Sequence, residues 1–277
     1  MRFKVAHQTL YRYDTPVRFA PHVLRLTPRP ERVSILSHDL TVTPAPAERA
    51  DFVDLFGNRL TRLVFEGEAD ALRIESRFEL DTLASADPFC GGAPMPALPW
   101  PDIPGDGLEA YRRETQTDPS VRAFAEGLAA RSAGAPLAFL SALTHDLFMN
   151  MERATRPEGA ARSPGTTLAT RKGACRDITV LFLAACRSLG MPARFVSGYQ
   201  AKAHTPDGQR HMHAWAEVHL QGIGWAGFDA THGMAVADGH VALCAAPTQA
   251  STMPVEGAWW GSAHSSTLDV SVMIATS

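Results

Sequence analysis

The sequence predicts an α+β protein in two parts, and three observations carry that prediction. Residues 1–86 break into short alternating strands separated by turn residues. A proline-rich stretch follows at 87–104. From 105 to 277 helices come first, ending in an apolar helix that opens at Cys175, and antiparallel strands follow.

Phe3, Val5, Leu10, Tyr11 and Tyr13 mark the first strand region, and Ile35–Thr43 the next. Phe52–Phe65 reads as two strands around the turn pair Gly57-Asn58. Leu72–Leu80 alternates apolar and charged residues, as a half-buried strand does. Such short strands suggest a small β-sandwich. Prolines at 88, 94, 96, 99, 101 and 104 leave little room for a regular element, so the linker is placed here. Phe89, Leu98 and Trp100 would be unfavourable in water and should tie that segment down.

Helices are expected from Leu108 to about Thr115, from the cap Asp118-Pro119 to about Ala130, and from Pro136, where Leu137, Phe139, Leu140, Leu143 and Leu147 have helical spacing. One or two turns cover Thr166–Lys172. The Cys175 helix runs to about Leu189 and is stopped by Gly190 and Pro192. Strands then follow at Ala193–Ala203, His213–Leu220 and Gly224–Asp229, with a turn at Thr205–Gln209 and a final strand at Thr267–Ile274.

Composition narrows the function classes. Hydrophobic residues at 45% allow a packed core, and a net charge of -3 with no dominant basic patch argues against nucleic acid as the main partner. No apolar run is long enough for a membrane span, the N-terminus lacks a signal-peptide pattern, and four cysteines show no CxxC pair. A soluble cytoplasmic protein with reduced thiols is expected.

Cys175 lies in the positive end of a helix dipole, where a cysteine pKa can fall from about 8.5 to roughly 3.5–7.5. A nucleophile needs a base and an orienting group. His213 on one strand and Asp229 at the end of the next can supply them, because neighbouring antiparallel strands lie about 5 Å apart. Each has a plainer reading: a small buried thiol, a solvent-facing strand histidine, a turn aspartate. Cys186 reads as core, Cys90 and Cys244 have no assigned role, and His7, His22 and His38 read as structural or exposed. Trp215 and Trp225 are core aromatics of the sheet or walls of a substrate cleft. Arg176 reads as half of an ion pair with an acid such as Asp177. A zinc site from His211, His213, His219 and Cys175 lacks a further ligand at metal spacing, so no metal and no cofactor are expected.

Gly-Ala-Cys-Arg-Asp, Leu-Gly-Met-Pro-Ala-Arg-Phe-Val-Ser-Gly-Tyr, His-Ala-Trp-Ala-Glu-Val and Gly-Trp-Ala-Gly-Phe-Asp-Ala-Thr occur in that order from about Thr166 to Thr231. Together they resemble the bacterial transglutaminase-like family. Asp54-Leu-Phe-Gly-Asn and the prolines near Pro28 resemble the β domain that precedes the core in one bacterial branch. The resemblance implies a papain-like α+β core with Cys175, His213 and Asp229 as nucleophile, base and orienter. It also implies acyl transfer on a peptide or protein amide, resolved by water (peptidase or amidase) or by an amine (transglutaminase). The non-enzymatic alternative is a binding module that keeps the fold. The chain departs from the family at Asp229-Ala230-Thr231, where relatives carry Asp-Pro-Thr, and at 241–254, where charged and aromatic groups are replaced by small ones. If 241–254 lines the acyl-donor cleft, substrate choice should differ from that of relatives.

Overall fold

The computed structural model describes residues 1–83, 95–113, 118–156, 159–201 and 210–277. Six strands come first: β1 (Arg2–Phe19), β2 (His22–Leu24), β3 (Val33–Thr43), β4 (Glu48–Val53), β5 (Arg59–Val64) and β6 (Ala69–Thr82). The helical region holds α1 (Glu109–Arg112), α2 (Pro119–Arg131), α3 (Pro136–Asn150), β7 (Glu152–Arg153), α4 (Pro164–Thr170), β8 (Lys172–Gly173) and α5 (Cys175–Ser188). Then come β9 (Ala193–Gln200), β10 (His213–Leu220), β11 (Gly224–Asp229), β12 (Met234–Ala235), β13 (His240–Ala246), a 3-10 turn at Ala250–Thr252, β14 (Val255–Glu256), β15 (Trp259–Trp260) and β16 (Ser266–Thr276).

Two sheets form the β part. One runs β15-β1-β6-β3 with β16 also on β1, and the other runs β14-β2-β5-β4. Phe3, Val5, Leu72, Ile74 and Leu80 of the first meet Leu24 and Leu63 of the second in one core. The sequence division assigns 105–277 to the second part, but the last strands leave it. β16 pairs with β1 from Phe3↔Thr276 to Tyr13↔Ser266, β15 also pairs with β1, and β14 pairs with β2. The long β1 strand has β6 along one edge, and β16 satisfies the backbone groups of the other. Both ends of the chain therefore build the β part.

The third sheet is antiparallel, in the order β12-β11-β10-β9-β13. Ala214, Ala216, Val218 and Leu220 alternate onto the face that packs on Ile178, Leu181, Phe182 and Ala185 of α5. Phe182 and Phe228 stack there at 5.8 Å. The opposite face carries Trp215 with Val196 and Ala245. Helices α2 and α3 complete the α5 core through Val121, Ala125, Leu128, Phe139, Leu140, Leu143 and Leu147. Asp118 caps α2 by accepting the Ser120 N–H, as its position before Pro119 predicts. Gly190 ends α5 with φ +79°. Its N–H donates to the Arg187 carbonyl and the Met191 N–H to the Cys186 carbonyl, a paired helix stop that needs the left-handed conformation.

The segment expected as a linker is tied down where it is described. The Leu98 N–H donates to the Gly134 carbonyl and the Trp100 N–H to the Leu189 carbonyl, both at 2.8 Å, and both side chains pack on the helical core. Pro88, Phe89, Cys90, Pro94 and the turn at Thr205–Gln209 lie outside the described residues. Among the described residues no helix is long and apolar enough to cross a membrane.

The two parts share a buried junction. Tyr199, Val241 and Leu243 of the third sheet enter the core of the β part. Asn58, with no solvent exposure, treats β13 as a further strand would: its Nδ2 donates to the Ala245 carbonyl at 3.0 Å and its Oδ1 accepts the Ala245 N–H at 2.8 Å. Asp54 holds the loop, accepting the Phe56 and Asn58 N–H groups on Oδ1 and the Asn58 Nδ2 on Oδ2. The Arg29 guanidinium donates to Asn58 Oδ1, and its N–H to the Ala242 carbonyl at 2.9 Å. The first part of the 241–254 stretch, through Ala246, is thus an edge strand pinned by the β part, and its small residues fit that close packing. Asn58→Ala leaves a buried N–H and carbonyl of Ala245 unpaired. It should lower stability by about 2–4 kcal/mol in urea unfolding, and a loss below about 0.5 kcal/mol would contradict this account of the junction.

Candidate active site

The site begins at the start of α5. Asp177 turns back so that its Oδ2 accepts the N–H of the N-cap Ala174 at 2.8 Å. Arg156 Nη1 donates to both carboxylate oxygens at 2.6 and 2.8 Å, and the Arg162 N–H donates to Oδ1 at 2.8 Å. Burial alone would raise the Asp177 pKa, but Arg156 and the two backbone donors outweigh it and hold it below the usual carboxylate range. The expected pairing of Arg176 with Asp177 is therefore corrected. Because Asp177 caps the helix, it faces Arg156, while Arg176 Nη1 donates to the Arg156 carbonyl at 2.7 Å. Parallel pairing of β7 with β8 anchors the chain just before the cysteine. Gly173 is required there, since a Cβ would meet the Asp177 Cβ at 2.8 Å. Cys175 follows as the first helical residue, part-exposed, among N–H groups with no intrahelical acceptor.

β10 and β11 pair with Ala216 opposite Phe228, which puts His213 and Asp229 on one face. His213 Nε2 lies 2.8 Å from Asp229 Oδ2, and the Cys175 side chain acts on the same ring, helping to raise its pKa. With Nε2 committed to the carboxylate, Nδ1 is the nitrogen left for the thiol. Burial pulls the His213 pKa down, but the charge and hydrogen bond of Asp229, with Cys175, push it up to about 10. Asp229 has no solvent exposure; burial opposes its charge, yet His213 and its other donors hold its pKa well below the ordinary value.

Sequence reasoning missed two histidines here. His232 Nδ1 and His240 Nε2 lie 2.8 and 3.1 Å from the same Asp229 Oδ2. The Thr231 and His232 N–H groups donate to Oδ1 at 3.1 and 3.2 Å. His232, three residues after Asp229, had a local signal as part of its turn. His240 had none, because its nearness depends on β13 folding back onto the sheet. The zinc set suggested by sequence does not converge: His219 lies at the other end of β10 against Trp225, ring centroids 5.3 Å apart. Among the described residues, His213, Asp229 and His232 place ligand-type atoms within 4.8 Å of one another. His213 Nε2 and His232 Nδ1 both bond Asp229 Oδ2, so the group reads as a hydrogen-bonded cluster.

Trp215 and Trp225 both line a cleft of about 470 Å³ with Arg194, Glu217, Asp238 and His240. Trp215 is buried and belongs to the core of that face. Trp225 is sandwiched instead, with the Arg194 guanidinium 4.2 Å from its ring centroid and the Tyr111 ring at 4.8 Å. Of the 241–254 stretch, Ala242 reaches this cleft.

Residues 3–81 match the bacterial transglutaminase-like N-terminal region, and residues 122–230 match the transglutaminase-like superfamily. The second part of the chain therefore carries a transglutaminase-like region. A solved structure described as a candidate cysteine protease of Cytophaga hutchinsonii shares this transglutaminase-like fold over 99% of the chain and 90% of its own, with TM-score 0.72 and 23% identity. An uncharacterized protein of Mycobacterium tuberculosis is 29% identical over 293 residues, covering 98% of this chain and 91% of its own. One of Mycobacterium leprae is 23% identical over 272 residues, covering 94% of each.

Asp177 gives a pH prediction. Its folded-state pKa is lowered, so its contribution to stability is present above its unfolded value of about 4 and is lost as pH falls through the folded value. Asp177→Asn should cost about 2–4 kcal/mol near pH 7 and flatten the loss of stability below about pH 4, measured by urea unfolding across pH. An acid limb as steep as that of the wild type would show that another group carries it.

Proposed function

We propose that the chain is a thiol-dependent acyl-transfer enzyme acting on peptide or protein amides through Cys175, His213 and Asp229. One observation carries the reading: a single buried imidazole pairs with the buried Asp229 through Nε2, and its pKa is raised by Asp229 and by the Cys175 side chain. A ring that keeps its proton at neutral pH, with a pKa of about 10, is the counter-ion a thiolate needs. The sulfur attacks the amide carbonyl, and the tetrahedral oxyanion is met by backbone N–H at the start of α5. His213 Nδ1 gives its proton to the leaving amine, the C–N bond breaks, and a thioester remains. Water, deprotonated by the now neutral Nδ1, then releases the carboxylic acid and the thiol. Asp229 keeps the ring in the tautomer and orientation both steps need. Hydrolysis is the preferred outcome. A primary amine in place of water would give transglutamination with the same three residues.

Iodoacetamide labelling of the native chain, with Cys175→Ala as the control for other thiols, tests the nucleophile. The Cys175 rate should stay high well below pH 8, and His213→Ala should slow it by about two orders of magnitude near neutral pH. A Cys175 that is unreactive, or that titrates near 8.5 like a free thiol, would leave a binding module rather than an enzyme. Incubating a peptide library with and without a primary amine, and following ammonia release and mass changes, separates hydrolysis from amine transfer.

A further inference from the structure

We infer that His240 is a positioning residue for the Cys175–His213–Asp229 group, held in place from the β part through β13. The inference rests on the acyl-transfer reading above and assigns a further residue to that site.

The geometry of Asp229 motivates it. For His213 Nδ1 to meet the sulfur, the Asp229 carboxylate must not turn about its own side-chain bond. Oδ1 is fixed by the Thr231 and His232 N–H groups, and Oδ2 also accepts from His232; all of these belong to the turn that follows Asp229 itself. Tethers on one turn move with that turn. His240 differs because it stands on β13, at the far edge of the sheet, separated from β11 by β10 and β9. Its Nε2 reaches Asp229 Oδ2 at 3.1 Å, and its ring packs edge-on against Trp215 at 5.2 Å. Apart from His213 itself, the carboxylate is thereby fixed by two separate elements, the turn and β13.

The chemistry of the ring supports a role at Asp229 over simple packing. His240 is buried, and burial lowers its pKa, so the ring is neutral and Nε2–H is its single donor. The charged and titratable groups facing it are Asp229, His213 and His232. Its Nδ1 is buried with no hydrogen-bond partner. An apolar side chain of similar size would fill the position without that penalty, so the bond to Asp229 is what the imidazole adds. β13 is itself set by the β part: Asn58 pairs with both backbone groups of Ala245, and the Arg29 N–H donates to the Ala242 carbonyl, two residues from His240.

The test uses the full chain and compares His240→Phe, which keeps bulk but removes the donor, with His240→Gln, which keeps an N–H. Urea unfolding first establishes that each variant is folded. Two readouts follow: the Cys175 iodoacetamide rate against pH, and the low-field proton resonance of the His213 Nε2–H bonded to Asp229. His240→Phe should label about tenfold more slowly at neutral pH, shift the pH midpoint and move or broaden that resonance, while His240→Gln stays close to wild type. If His240→Phe does not fold, His240→Met against His240→Gln makes the same comparison at similar side-chain length. A folded donor-free variant with the wild-type rate profile and an unmoved resonance overturns the inference. The resonance does not depend on a reactive thiol. An unreactive wild-type Cys175 with a resonance that responds to His240 would therefore sink the acyl-transfer reading and leave the positioning contact standing.

Discussion

An ionised carboxylate with no solvent exposure is stable only when every lone pair it presents is met, and Asp229 is met by three imidazoles and two backbone N–H groups. Taken bare into a protein interior it would take up a proton. Here it is held in the charged form, and that charge raises the pKa of His213. The order of the surrounding elements follows from this requirement. β11 must end at Asp229 so that the next turn can fold its N–H groups back, β10 must present His213 on the same face, and β13 must run close enough for His240 to reach across.

A second buried acid does the corresponding work at the helix. Asp177 fixes where α5 begins by capping Ala174, and Arg156 neutralises it from the loop before α4. Cys175 is therefore set by one carboxylate and His213 by another. The two carboxylates differ in their partners. Asp177 faces a permanently charged guanidinium and serves geometry alone, whereas Asp229 faces titratable rings and so also governs where a proton resides.

Local patterns carried most of the fold. The apolar period of α5 with Gly190 after it, the Asp118-Pro119 start of α2, and the alternation from His213 to Leu220 each depend on neighbours within a few residues, and each element forms as expected. The long-range pairings were not legible. β16 alternates like any amphipathic strand, and nothing in it specifies β1 as its partner over β11 or β13. Cys175, His213 and Asp229 were legible because a helix start and two strands joined by a short hairpin constrain their separation. Asp177 was visible as an acid in the first turn, but Arg156 lies 21 residues earlier in a loop, so the ion pair was assigned to the adjacent Arg176. His240 was hidden for the same kind of reason.

The junction at Asn58 explains why the β part and the core form one working unit. β13 is the outer strand of the third sheet, and an outer strand is held on one side by its neighbour and on the other by whatever covers it. Here the cover is a side-chain amide from the first part of the chain, backed by Arg29 and by the shared core of Tyr199, Val241 and Leu243. Because β14, β15 and β16 return to the β part, the chain that follows β13 is anchored there as well. A strand held along both edges and followed by strands fixed in the β part has little freedom to shift register, and a one-residue shift would turn the His240 ring to the opposite face of the sheet, away from Asp229.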